Sequence, residues 1–200
     1  MFRDVVLDIF AETWPAILIC CVILMSMRIV YLFQNRKPLI IHKELLSLIF
    51  VIYIMSLFYA VTFHDVDWSS HNFIPFREIT RYSIDSRMFY YNVIGNMVMF
   101  IPYGFFIGYF LKIKKVLLAF LLILFASYAI ETTQYLIGRV FDVDDIILNV
   151  TGGMIGFGLY WLLEKIRDKL PDILKKPIMY NIIIIIVLIL FIFYLIRIGA

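Results

Sequence analysis

Long apolar stretches, separated by short polar segments, run through the chain from end to end. Each stretch approaches or exceeds the roughly 18 apolar residues that a membrane-spanning helix needs. The pattern therefore predicts an all-α fold, a polytopic transmembrane bundle of about six helices. The six stretches cover residues 14–33, 45–63, 93–111, 116–137, 146–163 and 178–196.

The polar segments between these stretches divide the chain into three regions. Residues 1–44 hold a predicted short amphipathic helix, with Asp4, Asp8 and Glu12 on one side, and the first spanning helix. Residues 45–163 hold a membrane core of four helices. Residues 164–200 hold a basic linker and the last spanning helix.

Composition excludes a soluble domain. Hydrophobic residues make up 64% of the 200-residue chain, charged residues make up 16%, and the mean hydropathy is +0.95. Soluble domains are about 45–50% apolar and about 25% charged, so lipid must cover the excess apolar surface. Membrane lipid is thus the expected partner. The net charge of +3 does not indicate nucleic acid, because the basic residues follow the predicted membrane topology.

The basic residues set the predicted orientation. All nine lysines, together with Arg36 and Arg167, fall in three segments on one side of the predicted membrane. The opposite side carries six arginines, at positions 3, 77, 81, 87, 139 and 197. Because cytoplasmic loops are enriched in basic residues, we predict a multi-pass protein of the cell membrane. Its lysine-rich segments are cytoplasmic, and both termini and the loops 64–91 and 138–145 are outside.

Glu131 is the most informative polar residue, since it lies inside the fourth apolar stretch, near its outer end. A carboxylate at such a depth costs a few kcal/mol unless it faces the bundle interior with a partner. Gln134 and Arg139 follow on roughly the same side of the helix. The alternative interpretation is a structural pair, Glu–Arg or Glu–Asn, that only fixes helix packing.

The fifth predicted helix opens with a second polar group. Asp142, Asp145 and Asn149 recur at spacings of three and four and therefore share a helical face. N-capping accounts for one aspartate near the start of the helix, but not for the whole group. Small residues continue the same face, and they predict a close helix–helix contact. These small residues are Gly152 or Gly153, and Gly156.

The third predicted helix contributes Asn92 and Asn96 on one face. Side-chain amides in hydrocarbon need hydrogen-bond partners, and Glu131 and Asn149 are the natural candidates. Taken together, these residues predict a polar pocket that opens outward between the third, fourth and fifth helices.

The loop 64–91 carries histidines and acids, but their spacing matches no metal site, so we predict a solvated loop and no metal. His64, Asp65, Asp67 and His71 are the residues concerned. The aromatic segment 73–76 is expected to lie at the membrane interface, with Arg77 over the pocket or near lipid phosphate. No nucleotide, zinc-protease or nucleophile-elbow motif is present, and no cofactor is predicted.

Four separated blocks resemble the VanZ-like family over roughly residues 45–163. They are Asn72-Phe-Ile-Pro-Phe, then Asn92-x-x-Gly-Asn-x-x-x-Phe-x-Pro-x-Gly, then Glu131-x-x-Gln, then Arg139-x-x-Asp-x-x-Asp-x-x-x-Asn-x-x-Gly-Gly. The family takes its name from a protein associated with resistance to the lipoglycopeptide teicoplanin. The resemblance implies a set of shared polar positions: Asn92, Asn96, Glu131, Gln134, Arg139, Asp142, Asp145 and Asn149. It implies no enzymatic mechanism.

Three functions fit these patterns. In the first, the polar positions and Arg77 bind a lipid-linked cell-wall precursor or other envelope component, or a lipoglycopeptide, and contribute to teicoplanin resistance or envelope maintenance. The alternative is a membrane enzyme that modifies a lipid or glycan headgroup, with Glu131 or Asp145 as the general base. The third is a packing scaffold with no ligand.

Overall fold

The computed structural model describes residues 2–63 and 71–199, and in this part the fold is all-α. The predicted loop residues His64, Asp65 and Asp67 lie outside the described residues. The seven described helices are α1 Phe2–Gln34, α2 Ile41–Phe63, α3 Arg77–Arg81, α4 Arg87–Leu111, α5 Val116–Leu136, α6 Val143–Lys169 and α7 Pro177–Gly199.

Five of these helices are long and apolar enough to cross a membrane, namely α1, α2, α4, α5 and α6. The sixth predicted stretch lies in α7. Within α7, the apolar segment Pro177–Val187 is shorter than a membrane span, so the sixth crossing stays a prediction.

Two segments differ from the sequence-based expectation. The predicted amphipathic helix at residues 1–12 is not a separate element, because α1 continues from Phe2 through Pro15 to Gln34. The predicted loop 64–91 is partly helical. It contains α3 and the first turns of α4, where a π-helical turn covers Tyr90–Ile94.

The chain forms two compact units: residues 1–55 with 165–200, and residues 56–164. In the first unit, the guanidinium of Arg28 forms a bidentate ion pair with Glu44, at 2.9 and 3.0 Å. Asn181 Oδ1 accepts a hydrogen bond from the backbone N–H of His42 at 2.9 Å. These pairs satisfy polar groups inside an otherwise apolar set of helices.

Glycines bring α4 and α6 together in the second unit. A Cβ on Gly152 would lie 1.9 Å from the carbonyl oxygen of Met97, and one on Gly156 would lie 1.9 Å from that of Ile101. From the other side, a Cβ on Gly104 would lie 1.8 Å from the carbonyl oxygen of Gly153. The predicted glycine seam is thus confirmed as a close backbone contact of the small-xxx-small type.

The same two helices run parallel. Asn96 near the start of α4 contacts Asp145 near the start of α6, and Lys112 after the end of α4 pairs with Glu164 towards the end of α6. The antiparallel α5 packs beside them through Ile123, which is fully buried with Phe100 and Phe157. The ends of α2 and α5 and the beginnings of α4 and α6 therefore lie together at one end of this unit.

Candidate functional site

The loop before α3 is fixed to the beginning of α6 by Asn72, which is only 2% exposed. The Asn72 backbone N–H donates to the carbonyl of Phe141 at 2.9 Å, and its own carbonyl accepts from the N–H of Val143 at 3.1 Å. Its side chain donates to Asp142 Oδ1 at 2.8 Å and accepts from the N–H of Ile74 at 3.1 Å. All of the hydrogen-bonding groups of Asn72 are engaged, so it acts as a structural clamp.

Asp144 caps the short helix α3. Its carboxylate accepts three backbone N–H bonds, from Phe76 at 2.5 Å, Glu78 at 2.7 Å and Ile79 at 3.2 Å. The residue is 1% exposed. The N–H groups of a first helical turn lack intrahelical partners, and here an acid from α6 satisfies them.

Asp142 is the N-cap of α6, because its Oδ1 accepts the N–H of Asp144 at 2.8 Å. Burial raises the pKa of this carboxyl, and the bonds from Asp144 and Asn72 oppose the rise. We predicted Asp142 as a binding residue. In the structure, Asp142 Oδ1 accepts hydrogen bonds from the N–H of Asp144 and from the Asn72 side chain. Asp142 does not line the cavity described below.

Arg139 and Gln134 both reach the carbonyl oxygen of Val61, one of the last carbonyls of α2. The guanidinium of Arg139 makes the shorter contact, and the amide of Gln134 lies 3.4 Å away. Gly138 takes a left-handed conformation, with φ of 86°, and ends α5 so that the chain turns towards this position. Arg139, which we predict from the sequence as a binding residue, thus caps the end of α2 and does not line the cavity described below.

Glu131 lies deep in this end of the unit and is 2% exposed. Its Oε2 accepts the backbone N–H of Asp142 at 3.1 Å. Across from it, Asp145 Oδ1 accepts a 2.5 Å hydrogen bond from the Asn96 side-chain amide. The structure therefore confirms that Glu131 faces the interior, and its contact here is a backbone amide rather than a cation.

Asn149, which is 4% exposed, is only half satisfied. Its amide nitrogen donates to Ser127 Oγ at 3.1 Å. Its carbonyl oxygen Oδ1 is buried and has no hydrogen-bond partner among the described residues. A buried acceptor without a donor costs about 1–3 kcal/mol, so this atom is a point where a ligand donor or a water would be stabilising.

A cavity of about 30 Å³ lies between these residues. One buried water needs about 10–15 Å³ of such volume, so the space suits a group the size of one or two waters. The polar residues that line it are Asn96, Glu131, Gln134, Asp145 and Asn149, and the apolar ones are Leu57, Val61, Met99, Phe100 and Ile130.

The structure thus brings together five of the nine predicted binding residues and separates the other four. Asp142 and Arg139 support the cavity from outside. Asn92 lies in the π-helical turn and does not line the cavity, and Arg77 is exposed beyond it. Sequence reasoning missed Ser127, which is fully buried, although its position one helical turn before Glu131 places both on one face.

The predicted interfacial segment lies next to this end of the unit. Phe73, Ile74 and Phe76 are 65, 59 and 57% exposed, and Phe73 stacks on Phe141 with ring centroids 5.5 Å apart. His71 Nδ1 accepts the N–H of Phe141 at 3.1 Å. Within residues 2–63 and 71–199, no three His, Cys, Asp or Glu side chains are arranged to hold a metal ion.

Comparison with known families gives one result. The family model described as VanZ/LLP1 matches residues 45–164, which comprise the whole of the second unit and residues 45–55 of the first. No curated protein and no solved structure matches the chain.

Proposed function

The chain is a multi-pass membrane protein that belongs to the VanZ/LLP1 family, and we propose that it binds the headgroup of a membrane lipid or lipid-linked envelope component. The binding site is the cavity lined by Glu131, Asp145 and Asn149. Asn96 and Gln134 complete its polar wall.

The unpaired carbonyl of Asn149 is the observation that carries this proposal. Most polar groups around it have partners within the fold: Asn96 pairs with Asp145, Glu131 with the N–H of Asp142, and the Asn149 amide with Ser127. Buried polar atoms are hydrogen-bonded in the great majority of cases. One acceptor left open, facing a cavity with two carboxylates, favours a site that receives a donor from outside the chain.

The size of the cavity limits what enters it. About 30 Å³ accepts the terminal group of a headgroup and not a whole sugar or peptide. The remainder of the ligand would then lie at the surface, where Phe73, Ile74 and Phe76 are exposed. Aromatic residues are enriched at the membrane–water interface, which suits a ligand whose acyl chains stay in the bilayer.

At the level of the cell, we place this binding on the outer face of the membrane, following the distribution of lysine. Retention of an envelope component there would contribute to envelope maintenance or to resistance against a lipoglycopeptide such as teicoplanin. Susceptibility of the host with wild-type protein and with Glu131→Gln tests this consequence, and equal susceptibility would contradict it.

Lipid retention tests the binding itself. The double variant Ser127→Ala/Asn149→Leu removes the open carbonyl and, with it, both partners of one hydrogen bond, which is gentler than removing one. We expect it to lose the lipid that co-purifies with wild-type protein, as measured by mass spectrometry. Thr151→Val is the matched control, because Thr151 is exposed on the same helix, does not line the cavity and donates its hydroxyl to the carbonyl of Ile147. Equal retention by all three proteins would refute the proposal.

A specific observation also supports the enzymatic alternative. The cavity has room for about one or two waters beside the carboxyl groups of Glu131 and Asp145, and general-base activation of water requires such a juxtaposition. Asp145→Asn keeps an acceptor for the Asn96 amide. An enzyme that uses Asp145 as its base would keep the ligand but stop forming product, whereas a binder would show only weakened retention.

A further inference from the structure

The lining of the cavity is rich in acceptors. Glu131 and Asp145 supply carboxylates, Asn149 supplies the open carbonyl, and none of the ten lining residues is basic. Arg139 stands nearby, but its guanidinium bonds to the carbonyl of Val61. A phosphate or another anion would meet two acidic side chains and no basic one in the lining of the cavity, so the charge of the wall opposes an anionic ligand.

Three acceptors on three different residues match one chemical group in particular. A primary ammonium carries three N–H donors and no acceptor, and it brings the positive charge that buried carboxylates need. A hydroxyl brings a single donor and leaves the carboxylates uncompensated. A hard metal ion needs about six or more oxygen ligands, and the described residues provide no cluster of three metal-binding side chains.

From these observations we infer that the cavity takes a primary ammonium group, carried by an ethanolamine-type lipid headgroup or by another amine. This inference rests on the proposed function, since it names the ligand class of the same site. It also predicts a strict size limit. A trimethylammonium group has no N–H donor and is too large for a cavity of about 30 Å³, so a choline headgroup should be rejected.

A methylation series tests the inference on the full-length protein. The protein is purified in detergent and incubated with phosphatidylethanolamine, its N-methyl and N,N-dimethyl forms, phosphatidylcholine and phosphatidylglycerol, all with the same acyl chains. Native mass spectrometry then measures the lipid retained. We expect retention to fall at each methylation. The ethanolamine lipid should be preferred over the choline lipid by more than about tenfold, because about tenfold is the loss for a single charge-assisted hydrogen bond and choline lacks all three donors.

The variants show whether the preference comes from this cavity. Glu131→Gln and Ser127→Ala/Asn149→Leu should abolish the preference, whereas Thr151→Val should keep it. Competition by soluble ethanolamine would indicate that any primary amine enters. Retention that resists soluble ethanolamine, with the preference intact, would indicate that the lipid must carry the amine.

Two results overturn the inference and are distinguishable. If phosphatidylglycerol or phosphatidylcholine is retained as well as phosphatidylethanolamine, and the cavity variants still reduce that retention, the ligand class is wrong while the proposed function stands. If the cavity variants, well folded by size-exclusion chromatography, retain every lipid as wild type does, both the inference and the proposed function fail.

Discussion

Alanine at Gly152 is the sharpest test of how α4 and α6 pack. The added methyl carbon would lie 1.9 Å from the carbonyl oxygen of Met97, whereas ordinary contact begins at 3.4 Å. The nearest atoms are backbone, which cannot rotate away, so the two helices must separate by about 1.5 Å, the difference between those distances. Overpacking of this kind costs typically about 1–3 kcal/mol, and we expect Gly152→Ala to lie at the upper end.

The same helix offers a matched control. Gly158 is exposed, and a Cβ there would meet nothing within 4 Å. Alanine is favoured over glycine inside a helix by about 1 kcal/mol. Gly158→Ala should therefore leave stability unchanged or raise it, and the two substitutions, chemically identical, should have opposite effects.

Thermal unfolding in detergent, followed by size-exclusion chromatography, measures this difference. For a chain of this length, 1 kcal/mol shifts Tm by about 2–4 °C, so a cost of about 3 kcal/mol should make Gly152→Ala unfold about 6–12 °C below wild type. Met97 follows Asn96, so the separation should also weaken the contact of Asn96 with Asp145 and lower lipid retention. Equal Tm values for the two variants would refute the close approach of α4 and α6.

Three further predictions concern the loop that carries α3, the cap residue Asp142 and the orientation of the chain in the membrane. Asp144→Ala, which removes the cap of α3, should make the loop 71–86 more sensitive to trypsin, and the exposed Asp85→Ala should not. Burial raises the pKa of Asp142, so its contribution to stability is full below its unfolded value of about 4 and is lost as the pH rises through the folded pKa. Asp142→Asn should therefore lose less stability than wild type as the pH rises above about 4, measured by Tm. Reporter fusions at residue 114 should be cytoplasmic and those at residue 142 external, and a cytoplasmic signal at 142 would invert the topology.

The lengths of the apolar stretches and the positions of glycines and charged residues within them made much of the fold predictable from the sequence. A spanning helix is long and apolar on all sides, so its existence needs no knowledge of its neighbours. The glycines from Gly152 to Gly156 were also informative, because small residues at helical spacing favour close packing whatever the partner is. Glu131 could be assigned to the interior on a different ground, because exposure of a carboxylate to lipid is energetically costly.

The hydrogen-bond partners of the polar side chains were harder to predict, because they depend on which backbone groups are left without a partner at a turn or helix end. Arg139 follows Glu131 at eight residues, and this spacing suggested a Glu–Arg ion pair. Gly138 ends α5, however, and Arg139 instead meets the carbonyl of Val61 at the end of α2. Nothing in the sequence around Arg139 identifies a carbonyl 78 residues away.

The three aspartates at the start of α6 show the same limit most clearly. Residues 142, 144 and 145 look alike in sequence, yet successive helical positions point about 100° apart, so each side chain meets a different environment. Asp142 caps its own helix, Asp144 caps α3, and Asp145 meets Asn96 in the cavity. Two of the three acids thus fix the start of α6 and the helix α3, and only the third lines the cavity that we propose as the binding site. Because rigid support lowers the entropy cost of binding, the structural aspartates should influence affinity without touching the ligand.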